Sequence, residues 1–376
     1  MRVLHLFSNA KWTGPAEPAL NLCVALRKRG VEADFACSPD AGGNINKVVE
    51  TARDRGIEPI LQFHLTKYLN PLTNWSDQRA LPKFLKRNPY DLIHCHMDND
   101  HRIALNTLGK HHLPIIRSNY KGEGLQGKPP YAKWLPNTAR LLEPSQIALD
   151  YDAVTYHYPR EHMHLVPGAV DTERFDPSRD VPDARRWLGI PPTAFVVGIV
   201  ARMQTHRRYE DFFRAARMLV DARPDTHIIV VGRGTNQDKV GKEPVKDLGL
   251  GDHVHFPGFV DGENYVGMLK AFDAKVFLVP GSDGTCRAVR EAMAMAKPAV
   301  VADRGMLREI VDDGETGFVF DGSVDGLYEA LHRLSSDRAL ARRLGQAARQ
   351  KALEVFSLDR QAEMVEQIYV SALSEH

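Results

Sequence analysis

The sequence has few cysteines and no pairing pattern among them: four in 376 residues (Cys23, Cys37, Cys95 and Cys286), with no CxxC spacing. Nothing therefore points to a disulfide framework, and a reducing cytoplasm is the expected compartment. Charge of one sign is also lacking. Lys and Arg number 49 against 48 Asp and Glu, a formal net charge of +1, which argues against a general nucleic-acid binder. No apolar run approaches the roughly 20 residues that span a bilayer. The apolar stretch RVLHLFS after Met1 is too short for a signal peptide, so the sequence predicts a soluble protein. Nor does a GxGxxG follow that first stretch, which argues against a dinucleotide-dependent dehydrogenase.

What is present is an alternation. Short, nearly continuous apolar runs (Arg2–Ser8, VEADFACS, Asp91–His96, Leu113–Ser118) are separated by helical patterns such as the one from about Ala19 to Arg29. Runs of that kind read as parallel strands buried on both faces, and their alternation with helices predicts a doubly wound α/β sheet. A Pro-, Asp- and Arg-rich segment, Phe175–Pro192, reads as a linker with one short helix. The pattern then restarts with AFVVGIVARM and THIIVVGRG and runs to a helical C-terminal region. A chain of this length is too long for one ordinary core, so the expected organisation is two α/β domains, residues 1–177 and 178–356, followed by a last helix over 357–376. Ligands of such sheets bind beyond the carboxyl ends of the strands, and a cleft between the halves is the expected site.

The most informative stretch is Ala274–Asp303, which reads as strand, Gly/Ser/Asp turn, helix and second strand. Asp283 stands at the turn and Glu291 eight residues later, about 12 Å along a helix. Two carboxylates so spaced, with free N–H groups at a helix start between them, can hold hydroxyls at both ends of a phosphate-centred ligand. The plainer alternative is a helix cap and a solvated glutamate. After the strand AFVVGIV come Arg202 and Arg207, suited to a diphosphate through charge-assisted bonds, or to a solvated basic loop. The turn Gly232–Gly234 can bring backbone N–H groups close to phosphate, although a GxG alone is weak.

Taken together these segments resemble the retaining, two-Rossmann-domain nucleotide-sugar glycosyltransferases of family 4, whose fold is called GT-B. The residues that carry the resemblance run in order through nearly the whole chain: Gly14–Glu17, Gly168–Phe175 (GAVDTERF), Arg202 with Arg207, Gly232–Thr235, HFPGFV, and Asp283-Gly284-TCRAVR-Glu291-Ala-Met before KPAVV. The resemblance implies two Rossmann-like domains facing each other across a cleft, with the final helix crossing back to the first domain. It implies that Glu291 binds the donor ribose and that Asp283, with the backbone of Gly284 and Thr285, faces the donor hexose. It implies that Arg202 and Arg207 hold the diphosphate and stabilise its leaving charge with no metal ion or other cofactor, and that the Gly14 loop closes on it from the first domain. Attack is then front-face, the departing phosphate accepting the acceptor's proton. The donor would be a UDP- or GDP-type sugar, and the acceptor a bacterial glycan or lipid-linked glycan.

Several positions depart from the family pattern. Asp283 replaces the commoner Glu, Arg207 replaces Lys, Pro15 stands where a second Gly is usual, and Thr285-Cys286 replaces Phe-Gly. Arg287 adds a cation in the first helical turn, for a phosphate, an acidic sugar, or an i,i+4 ion pair with Glu291. His94 and His96 flank Cys95 and share one face of a strand. A metal reading of this HCH lacks evident third and fourth ligands. His96 is instead a candidate cleft residue in catalysis or a neutral core histidine. Asn119 or Tyr120 occupies the position where many relatives carry a catalytic histidine, and both are candidates for the acceptor side. From Arg53 to Arg140 there are 14 Lys/Arg and 7 Asp/Glu, an excess that suits an anionic membrane face, a phosphorylated acceptor or simply solvent. The rival functions are a nucleotide-sugar epimerase on the same fold and a non-catalytic protein that binds the nucleotide sugar.

Overall fold

A computed structural model describes residues 1–39, 43, 45–108, 113–127, 130–280 and 286–376. These residues fall into two compact units. One comprises Met1–Ala169 with Leu358–His376, the other Val170 to Ser357.

In the first unit six parallel strands are β1 (Arg2–Phe7), β2 (Glu32–Cys37), β3 (Leu92–Cys95), β4 (Ile115–Ser118), β5 (Arg140–Glu143) and β6 (Met163–Leu165), in the order β2-β1-β3-β4-β5-β6. The second unit repeats the plan with β7 (Phe195–Val200), β8 (Thr226–Val231), β9 (Val254–Gly258), β10 (Ala274–Phe277), β11 (Ala299–Ala302) and β12 (Gly317–Phe320), in the order β12-β11-β10-β7-β8-β9. The two α/β units and their parallel sheets are those expected from the alternation of apolar runs. β3, β4, β5, β10 and β11 are buried along their whole length, because helices cover both faces of each sheet and leave no polar side to the strands. In the second unit one core packs the helices Tyr209–Ala222 and Val324–Ser336 on the sheet, and the other packs Gly262–Ala271 and Arg287–Ala294 on the opposite face.

The first helix starts at Ala16 rather than near Ala19, since Pro15 and Pro18 fall in the first turn, where a missing N–H costs nothing. The helical C-terminal region breaks at Asp337, whose carboxylate accepts from Leu340 N at 2.8 Å and caps the next helix. The last helix, Leu358–Ser374, packs on the first unit. Its Ala362, Val365, Tyr369 and Ala372 join the core built by Leu20, Cys23 and Leu26, and Arg29 pairs with Glu366 at 2.8 Å. One long helix was not foreseen: Pro71–Arg87, capped by Asn70, with Pro82 inside it. All four cysteines are buried thiols, and none of the described helices is long and apolar enough to cross a membrane.

Candidate active site

In the second unit the carboxyl ends of β10, β7 and β8, the central strands of the sheet, carry the loops singled out in the sequence. Those loops meet. A Cβ built on Gly232 would lie 2.2 Å from Ala201 O, and one on Gly234 2.1 Å from Met203 O. The backbone of the β8 loop therefore lies directly on the backbone of the β7 loop, and at Gly232, with φ +136°, the conformation itself requires glycine. Packing between loops explains both glycines before any ligand is considered. From the other side, Arg207 Nη1 donates to Val279 O at 2.9 Å and ties the β7 loop to the segment following β10. Arg207 Nε is buried with no partner among the described residues, whereas Arg202 is exposed.

Asp283, Gly284 and Thr285 lie outside the described residues. Cys286, just before the helix Arg287–Ala294, is fully buried and left-handed, with φ +47°. Glu291 is 6% exposed on that helix. Its Oε2 accepts from Tyr265 OH at 2.5 Å, and its Oε1 lies 3.2 Å from Arg287 Nε. The i,i+4 ion pair expected for Arg287 is among the contacts it forms. These two partners orient the Glu291 carboxylate. Tyr265 is held well above its ordinary pKa, first by burial and then by the Glu291 charge, so it stays a donor.

A second buried charge was missed in the sequence. Lys275, in the middle of β10, is fully buried; its ammonium donates to Val276 O at 2.8 Å, and burial lowers its pKa to about 7 against a smaller opposing pull from Glu291. The lone lysine inside AKVFLVP was the available signal.

In the first unit His94 and His96 do share one face, their rings stacked with centroids 4.3 Å apart. His5 of β1, in register with His94, supplies the third imidazole that the sequence did not reveal. All three are fully buried. His96 Nε2 lies 2.9 Å from His5 Nδ1, and His96 Nδ1 lies 2.6 Å from Tyr120 OH. His94 bonds Ser118 Oγ at 2.8 Å and the Tyr369 hydroxyl. Burial pushes the pKa of each histidine down, that of His5 to about 3, so the cluster is neutral at pH 7.

Asn119 is buried. Its amide donates to Glu143 Oε2 at 2.8 Å, and its carbonyl accepts from Lys121 N at 3.0 Å. Asn119 and Tyr120 thus have partners inside the unit, and both line a small pocket with Leu22, Leu142, Pro144 and Gln361. Gly14 lies in the turn before the helix Ala16–Lys28, whose N-terminus has no side-chain cap.

Behind Asn119, Glu143 is fully buried against Asp152, which accepts from Leu125 N at 2.9 and 3.0 Å. Burial and then the Asp152 charge raise Glu143 well above the carboxylate range, so Glu143 keeps its proton and shares it with Asp152. The unfolded Glu143 loses that proton near the ordinary glutamate value of 4.5. Its contribution to stability is therefore complete below pH 4.5 and declines as pH rises above it. Glu143→Gln supplies a permanent donor of the same shape. It is expected to be near wild-type in stability at pH 4.5 and more stable than wild type at pH 8, as read by chemical denaturation at the two pH values.

A family model described as Glycosyltransferase Family 4 matches residues 13–174, and one described as Glycosyl transferases group 1 matches residues 180–351. The chain is 30% identical over 237 residues to a D-inositol 3-phosphate glycosyltransferase of Streptomyces avermitilis, a match covering 60% of this chain and 50% of that protein. It is 27% identical over 212 residues to the lipopolysaccharide core biosynthesis mannosyltransferase LpsB of Rhizobium meliloti, covering 54% of this chain and 59% of LpsB. The matched region thus spans only about half to three fifths of these relatives. The crystal structure of Anabaena Alr3699/HepE in complex with UDP superposes with a TM-score of 0.81 at 18% identity, over 99% of this chain and 100% of that one. With a family 4 domain followed by a group 1 domain on two six-stranded parallel sheets, the chain belongs to the family 4 glycosyltransferases of the GT-B fold.

Proposed function

We propose that the protein transfers a hexose or related sugar, with retention of anomeric configuration, from a UDP- or GDP-type sugar to a bacterial glycan or lipid-linked glycan. The observation that carries this reading is the joining of three loops at the carboxyl ends of β10, β7 and β8, beside an oriented, nearly buried Glu291. That arrangement suits a nucleotide diphosphate: Glu291 for the ribose hydroxyls, Arg207 and Arg202 for the diphosphate, the Gly232–Gly234 backbone beside it. HepE, with the same fold, was crystallised with UDP, and LpsB acts in lipopolysaccharide core biosynthesis. Asp283 is proposed to face the donor sugar, with Gly284 and Thr285 beside it, and Gly14 to approach the diphosphate. His96 is proposed to take part in catalysis, and Asn119 and Tyr120 to stand on the acceptor side.

Chemically, the sugar–phosphate bond breaks as the acceptor hydroxyl attacks the same face, and its proton passes to the departing phosphate oxygen. Arg207 and Arg202 offset the negative charge that builds on that diphosphate, a task that otherwise falls to a divalent cation. Screening of UDP-, GDP-, ADP- and CMP-sugars by thermal shift identifies the donor, because a bound ligand stabilises by mass action. NMR of the transferred sugar then reads its configuration. The expected result is one preferred donor, transfer that continues in EDTA, and a product with the donor's anomeric configuration. An inverted product overturns the retaining mechanism. Binding of a donor with neither hydrolysis nor transfer to any acceptor overturns catalysis.

A further inference from the structure

The first half of the helix Pro71–Arg87 is turned the wrong way round for a globular protein, whereas Leu81, Phe84 and Leu85 of its second half pack on the core. Its inward residues include Asn74 and Asp77, respectively 3% and 2% exposed, while Leu72 is 82% and Trp75 56% exposed. The polar residues are used as anchors. Asp77 accepts from His64 N at 2.8 Å and Leu65 N at 2.9 Å, and Asn74 donates to Asn99 at 2.7 Å. They fix the helix and the preceding loop to the body of the unit, so the apolar residues are held outward rather than being free to fold back. Tyr68 and Leu69, 74% and 57% exposed, extend the apolar group along that loop. A patch of this kind on a soluble surface marks an interaction site.

The same face continues as cations. Leu72, Trp75, Arg79, Lys83 and Lys86 recur at three- and four-residue steps, which places them on one stripe of the helix, with Arg87 at its edge. The only acid in the helix is the inward Asp77. Arg79, Lys83, Lys86 and Arg87 take part in no ion pair among the described residues. Arg79 lies over the Trp75 ring at 3.8 Å, and Lys67 Nζ is 5.1 Å from the Tyr68 ring centre. Trp and Tyr beside Lys and Arg, with no acid among them, match a lipid headgroup layer: the rings settle at the apolar boundary while the cations face anionic phosphates.

We propose that this face docks the protein on an anionic lipid bilayer, with Tyr68, Leu69, Leu72 and Trp75 entering the interface and Arg79, Lys83, Lys86 and Arg87 meeting the headgroups. The proposal is independent of the donor reading. A soluble protein partner would need acids to match the cations, and a second copy of this face would set cation against cation.

Co-sedimentation of the full chain with phosphatidylglycerol-containing vesicles, and with pure phosphatidylcholine vesicles, tests it. Each cation near an anionic surface contributes about fivefold to partitioning. The triple change Lys83→Glu, Lys86→Glu and Arg87→Glu is therefore expected to weaken binding to the anionic vesicles by about 100-fold or more, and phosphatidylcholine to bind weakly throughout. Leu72→Ser with Trp75→Ser is expected to weaken the binding that persists at high salt. Thermal shift with the preferred nucleotide sugar, unchanged in both variants, shows that they are folded and separates this result from the fate of the donor reading. Equal binding to both vesicle types, or unaltered binding by the triple variant, overturns the proposal. So does failure to bind vesicles combined with a dimer in light scattering that Leu72→Ser with Trp75→Ser dissolves.

Discussion

Glu291→Gln is expected to lower kcat/KM for the nucleotide sugar by about 5- to 1,000-fold, chiefly through a higher KM. A hydrogen bond to a charged acceptor contributes about 1.5–3 kcal/mol and a neutral one about 1. If Glu291 holds two ribose hydroxyls, removing its charge costs about 1–4 kcal/mol, which converts to that range. Both hydroxyls are held alike in ground and transition states, so the loss falls on binding rather than on turnover. Gln keeps an oxygen for Tyr265 OH, now 2.5 Å from Oε2, so the fold is expected to survive. Steady-state kinetics across donor concentrations provide the check. An unchanged KM would place the ribose elsewhere and leave Glu291 with a structural role toward Tyr265 and Arg287. Tyr265→Phe should reproduce a smaller part of the same KM effect, since it loosens the carboxylate without removing it.

Lys275→Met is expected to flatten the dependence of stability on pH above neutrality. The folded lysine loses its proton near pH 7, the unfolded one near 10.5. Between those values the unfolded chain holds more protons, so wild-type stability rises with pH; below about pH 7 the full cost of the buried ammonium is present. The rise attributable to Lys275 is roughly 2 kcal/mol between pH 7 and 9. The upper limit of that window keeps clear of the buried thiols Cys23 and Cys37, pushed up to about 12 from 9.0, which work in the opposite sense. Met fills the same space without a charge, and replacing a buried ion by an apolar side chain is often neutral or stabilising. The variant should be at least as stable as wild type at pH 7, with the gap closing towards pH 9. Urea unfolding midpoints at a series of pH values measure both.

The loss of Lys275 also tests how the buried charges are coupled. Its ammonium and the Glu291 carboxylate attract each other within one unit. Met at 275 removes that attraction, so a donor KM that rises in Lys275→Met as well as in Glu291→Gln would tie the lysine to the orientation of Glu291. A KM that stays at the wild-type value confines Lys275 to stability.

Strands were legible because parallel strands buried on both faces cannot hide among polar residues: LIHC, IIRS and AVVA are each buried throughout. The helix Pro71–Arg87 was not legible, for an equally physical reason. Helices are read from an apolar stripe facing the core, and here the first half of that inward face carries Asn74 and Asp77, with Leu81, Phe84 and Leu85 apolar only in the second half, while Leu72 and Trp75 point out. Pro82, sitting within the helix, further masks the pattern. What hid the helix from a reading by periodicity is the feature that marks it as a docking surface.

Side-chain partners divide in the same way. Glu291 and Arg287 are four apart on one helix, so their contact could be written down from spacing. His5 lies 89 residues before His94 in the chain, and only the pairing of β1 with β3 brings their rings together. Glu143 and Asp152 are unremarkable acids in sequence; burial of Glu143 at the end of β5 against Asp152 of the next helix, Gln146–Tyr156, leads them to share a proton.

By itself the sequence determined two α/β units, the order of their motifs and the positions of Arg202, Arg207, Gly232, Gly234 and Glu291, because these follow from local periodicity and spacing, while the family came from the resemblance those ordered motifs carry. Tertiary structure alone decided which backbones touch, which charges lose water and which apolar residues keep it. Gly232 and Gly234 are needed where two loops meet. Lys275 is shifted because β10 is central. Leu72 and Trp75 are outward because Asn74 and Asp77 hold the opposite face of the helix inward. Each of these is a contact or a desolvation between residues distant in the chain, and neither is encoded in the neighbourhood of any one of them.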